Sequence, residues 1–369
     1  MAVIKGCQSS FESRVWYLIE NANNITKKYP STQHMHFDKD GKFVYGKAYD
    51  DRNIRRVTAN DPLLPRLWTF EKQNNGGYKI RNANTGCNWS TYVAAGIDMP
   101  VDPNGGGEYS FECVPASYDG FNAKFAIKIG GHMINAFQGD ANTLICDYGG
   151  NHMGDAGSHW FFKKVTEVPV KIGTTGWASI CMPFAVTIPA EVHAYVATSA
   201  NGSVLNLKEV TGSVPAKTAL VITGAANSES KFQIDYNYAD NLTETNLFQG
   251  TTVERIDFAE GFTYGLGANN GKAVFMKNKY MKEFQNGDTK YSTLTVPANK
   301  AYLLTKDLGV TAQAATMLQF NFGGETTGID GVVADDAKDT IYYDLNGRRV
   351  LYPTQGVYVT NMGKKVFIR

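Results

Sequence analysis

Several things are scarce in this chain of 369 residues, and each scarcity removes a class of function. No run of 18 apolar residues occurs, so no helix of ordinary length spans a membrane. Charge of one sign is not in excess. Lys+Arg 36 against Asp+Glu 35 leaves +1, too weak a field to gather phosphates, and nucleic-acid binding is not expected. Histidine, the usual proton shuttle, numbers 6, and none sits in a recognisable catalytic setting. There is no Gly-x-Ser-x-Gly elbow, no phosphate loop and no dinucleotide fingerprint. No motif nominates an enzyme and none implies a cofactor.

Metal sites are equally scarce. His34-Met35-His36 would place two imidazoles on one strand face, but no third ligand is in view, and the pair reads as belonging to a loop. Asp38-Lys39-Asp40-Gly41 lacks the later ligands of a calcium loop and reads as a hairpin turn. Arg52, Arg55 and Arg56 read as a solvated loop face. The five cysteines are Cys7, Cys87, Cys113, Cys146 and Cys181, an odd number without a CxxC pair, and read as buried thiols rather than a framework. A Cys87–Cys113 pair stays open.

Against this stand 37 Gly, 20 Tyr and 20 Phe, with a charged fraction of 19%, below the usual value of about 25%. That composition suits an extracellular all-β protein. Helical periodicity is nearly absent, whereas alternating runs such as Lys79 to Asn82, Lys124 to Ile129 and Ala219 to Ile222 end in turn residues. Asn75-Gly76, Asn201-Gly202, Asn270-Gly271, Asn286-Gly287 and Asn346-Gly347 offer the positive φ of hairpin turns. Gly105-Gly106-Gly107 reads as a loop spacer.

A repeat organises the first half. Tyr17-Leu18-Ile19-Glu20-Asn21-Ala22-Asn23 returns as Tyr78-Lys79-Ile80-Arg81-Asn82-Ala83-Asn84, and a weaker copy opens at Phe125-Ala126-Ile127-Lys128. Each copy closes on an aromatic-x-Phe strand: Trp68-Thr69-Phe70, Tyr109-Ser110-Phe111 and Trp160-Phe161-Phe162. An opening strand with an inward apolar pair and a closing strand with two inward aromatics predict a pseudo-threefold barrel filled by those rings, with Trp68 and Trp160 in its core.

These residues, with Gly131-His132-Met133-Ile134-Asn135 and Asp155-Ala156-Gly157-Ser158-His159-Trp160 of the third copy, resemble the ricin-type β-trefoil lectins, in particular domains attached to secreted glycosidases and other surface proteins of Bacteroidetes. The resemblance covers 13–166 and implies a sugar packed on an aromatic, its hydroxyls held by amide and acidic side chains. Repeat three would supply Asn135, Tyr148 and Asn151, with Gln138, Asp140, His152 and Asp155 nearby, and repeat two Asn84, Asn88, Trp89 and Tyr92. Trp89, among polar neighbours, is expected to be exposed. The Gln-x-Trp signature of those lectins is absent: Arg66, Gly107 and Ser158 stand two residues before the closing aromatics. In the lectins that Gln supports the sugar-binding Asn. The alternative reading of Asn135 and Asn151 is an amide that caps a turn, and of Tyr148 an ordinary loop aromatic.

At Val168-Pro169-Val170 the repeat ends and a second composition begins. Trp177 to Pro189 is an apolar run broken by prolines, as at the strand edges of a sandwich, and Val214-Pro215-Ala216-Lys217 is echoed by Val296-Pro297-Ala298-Asn299. This part resembles an uncharacterised β-sandwich of secreted Bacteroidetes proteins. The end, Tyr343-Asp344-Leu345-Asn346-Gly347-Arg348-Arg349-Val350, Gly356-Val357-Tyr358 and Lys364-Lys365-Val366-Phe367-Ile368, is similar to the C-terminal sorting domain of type IX secretion. That resemblance implies contact with a secretion machinery; the alternative is a small sheet that closes the sandwich. The expected organisation is thus an N-terminal segment at 1–12, a β-trefoil at 13–166, a β-sandwich at 167–325 and a small β tail at 326–369. Met1 to Cys7 is too short for a signal peptide, so export would require a signal upstream. Three functions follow: a secreted or surface carbohydrate-binding module, the non-catalytic C-terminal part of a larger glycan-processing protein, or an adhesin or spacer that meets a protein partner and no sugar.

Overall fold

The computed structural model describes residues 2–3, 11–21, 33–37, 54–58, 63–83, 86–91, 99–102, 104–114, 124–135, 145–146, 153–257, 263–322, 342–343, 349–350, 356–360 and 365–368. At 2–3, 33–37, 54–58, 145–146, 156, 255–257, 284, 286, 342–343, 349–350, 356, 359–360 and 367–368 the backbone alone is described. The protein is all-β, as its composition and turn spacing predict; Val310–Ala314 is the one α-helix among the described residues. Two compact units comprise Met1–Asn321 and Phe322–Arg369.

In the first unit, six strands supplied by the repeat close on themselves. They are β1 (Trp16–Asn21), β2 (Leu67–Lys72), β3 (Tyr78–Asn82), β4 (Ser110–Cys113), β5 (Phe125–Ile129) and β6 (Trp160–Lys164). Antiparallel pairing runs β1 to β2 to β3, then across a Tyr78–Tyr109 bridge to β4, and on through β5 and β6 back to β1. Alternation turns Tyr17 and Ile19, Trp68 and Phe70, Tyr78 and Ile80, Phe125 and Ile127, and Trp160 and Phe162 inward, where all are buried. Phe11 fills the centre, edge-on to Tyr17, Phe70, Tyr78, Phe111, Phe125 and Phe162 at 5.0–6.0 Å. It precedes the first repeat and belongs to none of them.

Strand β1 is buried on both faces. Its outward Trp16 and Leu18, with Leu67 of β2, join Val168, Phe184, Ile222 and Phe232 in one core, so the ring and the following segment share an interior. The Tyr236 hydroxyl fastens the seam: it donates to Val165 O at 2.5 Å and accepts from Trp16 N at 3.3 Å. Burial pushes this phenol up to about 12, so it stays a donor at neutral pH.

Beyond the ring lie a four-stranded and a nine-stranded sheet, the latter running from Trp177–Cys181 at one edge to Gln249–Thr251 at the other. The two Val-Pro-Ala turns grip the proline-broken run from opposite sides. Lys217 N donates to Met182 O at 2.7 Å, while Cys181 N donates to Asn299 O at 3.2 Å. The edges of the large sheet also meet: Gly250 lies so close to Cys181 that a Cβ there would stand 2.6 Å from the sulfur.

Three local expectations are corrected. Arg55 and Arg56 are in a strand, Ile54–Thr58, and His34 and His36 are in its antiparallel partner, Gln33–Phe37, with His36 opposite Arg55. Neither segment is a loop; Ile54, Val57 and Thr58 are β-branched and favour the extended backbone. Cys113 is disulfide-bonded, and not to Cys87, which is a buried thiol like Cys181. In the second unit, Tyr342–Tyr343, Arg349–Val350, Gly356–Thr360 and Lys365–Ile368 make a four-stranded antiparallel sheet, with Tyr343 opposite Arg349 across the hairpin.

Candidate functional site

The repeat builds its rim from amides that clamp turns. Asn21, at the end of β1, donates through Nδ2 to Gly157 O at 2.9 Å and His159 O at 3.2 Å. Asn82, at the same place in the second copy, donates to Pro65 O at 2.8 Å and Leu67 O at 3.3 Å. Each amide holds the short helical turn that feeds a closing aromatic, Trp160 or Trp68. In the third copy Ile129 stands where Asn21 and Asn82 do, and the partner turn changes with it. Gly107 closes under Ile129, whose Cδ1 would be 2.6 Å from a Cβ at that glycine. The three glycines therefore are not a spacer. Gly107 N donates to Trp89 O at 2.8 Å, and Gly105 O accepts from Asn88 Nδ2 at 3.0 Å.

Among the candidate residues of repeat three, Asn135 and Asp155 come together. Asn135, buried on the strand His132–Asn135, donates to Asp155 Oδ2 and to Ser158 Oγ, each at 2.8 Å. Asp155 is exposed, and its Oδ1 accepts from Gly157 N at 2.9 Å. Behind them Trp160 Nε1 donates to Ile134 O at 3.0 Å, and the buried Lys124 Nζ lies 3.3 Å from His159 Nδ1. Repeat two has a parallel arrangement at Asp102. Burial pulls its carboxyl up, but the N–H groups of Asn104, Gly105 and Gly106, with Lys79 nearby, outweigh this and hold it below the usual carboxylate range. Both aspartates thus serve as acceptors for the backbone N–H groups of their turns.

Trp89 is not exposed. Its strand, Asn88–Trp89, pairs with Val101–Asp102, and the ring is fully buried against Trp68 at 5.7 Å and Tyr109 at 5.3 Å. Asn88 is buried too, its Nδ2 donating into the glycine turn, which is why polar neighbours do not mark an exposed ring. Gln138, Asp140, Tyr148, Asn151, Asn84 and Tyr92, together with His152, lie outside the described residues. No group of three or more His, Cys, Asp or Glu able to hold a metal ion occurs among the described residues. No helix among them is long and apolar enough to cross a membrane.

Sequence reasoning missed a second concavity. A cleft of about 770 Å³ opens between the outer face of β1 to β3 and the segments around Phe184, Lys217 and Tyr238. Its walls come from residues far apart in sequence, and the one advance signal was the echo of the two Val-Pro-Ala turns.

No family model and no curated protein matches the chain. Among solved structures, a crystal structure of Polyporus squamosus lectin bound to the human-type influenza-binding epitope Neu5Aca2-6Galb1-4GlcNAc is similar at 16% identity, covering 44% of this chain and 52% of that one, with a TM-score of 0.31. A PSL1a–E64 complex is similar at 16% identity over the same shares, with a TM-score of 0.30. The chain therefore spans about half the length of these two structures.

Proposed function

We propose that the protein is a non-catalytic carbohydrate-binding module of the cell exterior, with the six-stranded ring as a β-trefoil and the last strands as a sorting-type tail. The observation that carries this reading is the rim of repeat three, where a buried amide and an exposed carboxylate lie 2.8 Å apart on a turn fixed by Asn21 and backed by Trp160. A pre-positioned acceptor beside an immobile amide suits a sugar hydroxyl. Asp102 is held as an anion by three backbone donors, and the Asp155 carboxylate accepts from Gly157 N, an arrangement suited to accepting hydrogen bonds. The disulfide at Cys113 favours an oxidising compartment, in keeping with export. In this reading the chain is also the binding part of a larger glycan-processing protein.

The sugar-blind adhesin remains the second reading, favoured by one observation: Asn135 spends its amide on Asp155 and Ser158, and Trp89 offers no ring to a ligand. A glycan array screened with the full chain and with Asp155→Ala separates the two. Signal on a defined glycan, lost in the variant while its melting temperature is little changed, supports the first. An empty array from folded protein at high loading overturns it.

A further inference from the structure

The cleft between the ring and the following segment has the chemistry of a ligand site that the repeat does not account for. Its floor is one cross-strand row. Trp16 of β1 stands opposite Thr69 of β2, and Thr69 opposite Arg81 of β3, all on the outer face of the ring. Phe184 meets Trp16 edge-on at 5.9 Å from the other wall, and Tyr238 is half-buried nearby. The Thr69 hydroxyl is buried and has no hydrogen-bond partner in the protein, a cost that a bound acceptor would remove.

The cations at the cleft are the second observation. Arg81 is engaged by Glu71 at 3.3 Å, but the exposed side chains of Arg14 and Lys217 make no ion pair or side-chain hydrogen bond among the described residues. Both residues hold left-handed backbone, at φ 73 and φ 64, which side chains other than glycine, asparagine and aspartate adopt at a cost. The echoed turn supplies an internal control. At the place of Lys217 in Val214-Pro215-Ala216-Lys217, the sequence Val296-Pro297-Ala298-Asn299 has asparagine, at φ 59, the residue suited to that conformation. Lysine thus stands at 217 against local backbone preference, and arginine likewise at 14. Strain kept at a cleft by two uncommitted cations suggests that the side chains are wanted there.

We propose that this cleft binds an oligosaccharide bearing a carboxylate. Its apolar face would lie on the half-buried Tyr238, above the wall that Trp16 and Phe184 close, its carboxylate would be met by Arg14 and Lys217, and one hydroxyl would accept from Thr69. Asp240, exposed on the lining and uncommitted, offers an acceptor to another hydroxyl. The volume falls within the range of about 300–1,000 Å³ usual for small-molecule sites. The ligand class rests on the carbohydrate reading; the site does not depend on the rim of repeat three.

The test is calorimetric titration of the full chain with uronate oligosaccharides of two to four units and with their carboxyl-reduced counterparts. Uronates should bind at least about tenfold more tightly than the reduced forms, and Arg14→Asn and Lys217→Asn should each remove about tenfold or more, as expected for a lost charge-assisted hydrogen bond. Both variants should melt at the wild-type temperature or above, because asparagine relieves the backbone, and Lys217→Arg should retain binding. Equal affinity for the reduced forms, indifference to both asparagine variants, or no binding by any uronate overturns the proposal. Binding abolished by Asp155→Ala alone would keep the carbohydrate reading and overturn the cleft.

Discussion

At the scale of the residue, the ring depends on a side chain outside its repeat. Phe11 touches six aromatic rings at the centre of the ring. Phe11→Ala should lower stability by about 3–5 kcal/mol, read from urea unfolding. A loss below 1 kcal/mol would mean that the barrel collapses into the space. Gly250 is the counterpart in the large sheet. An alanine there would press on Cys181 and on the Cβ of Ala219, at 2.6 and 2.9 Å, and should cost about 1–3 kcal/mol. Adding Cys181→Ala should recover only part of this, because the Ala219 contact remains. The recurring Tyr-x-Ile-x-Asn made the inward residues legible in advance, whereas Phe11 has no periodic partner to announce it. The burial of Trp89 is not legible because Asn88 and Ser90 look solvent-facing until the glycine turn that takes the Asn88 amide N–H is seen.

At the scale of the element, strands and hairpins were the most legible part. The two-residue loop at Asn270-Gly271 joins Asn269 to Lys272, with φ of 48° and 77°, as the dipeptide predicts. The turns before Trp160 and Trp68 were less so, since the amides that hold them, Asn21 and Asn82, come from the neighbouring repeat. Asp102, in the turn of repeat two, makes stability depend on acid. Asp102 has its folded pKa depressed, so its contribution is full above the ordinary carboxylate range, near pH 4, and is lost as the pH falls through the folded value. Asp102→Asn should therefore be less stable than the wild type at pH 7, and the gap should narrow toward pH 3 in parallel denaturation curves. A gap that does not depend on pH would assign the effect to shape rather than charge.

At the scale of the whole molecule, the ring and the segment after it are not separable pieces. Trp16, Leu18 and Leu67 are buried against Val168, Phe184 and Phe232, each contributing about 1.5–3 kcal/mol by area alone. The unit Met1–Asn321 should unfold in one calorimetric transition, and a chain cut at 167 should aggregate or bind hydrophobic dye; two resolved transitions would contradict this. The composition break at Val168 was visible in the sequence, but not the common interior beneath it, because β1 reads as a half-buried strand until both its faces are seen covered. The cleft was hidden for the same reason: Trp16, Thr69 and Lys217 become neighbours only once that interior forms.

The seam at Tyr236 also sets a timetable for synthesis. Its hydroxyl holds the backbone of Trp16 from 220 residues away. A chain made at about 5–20 residues per second would wait on the order of 10–40 s after Trp16 appears before that partner exists. Throughout that interval the first strand has no completed interior to enter. The outer face of the first strand of the ring therefore stays open until Tyr236 and the strands around it have left the ribosome.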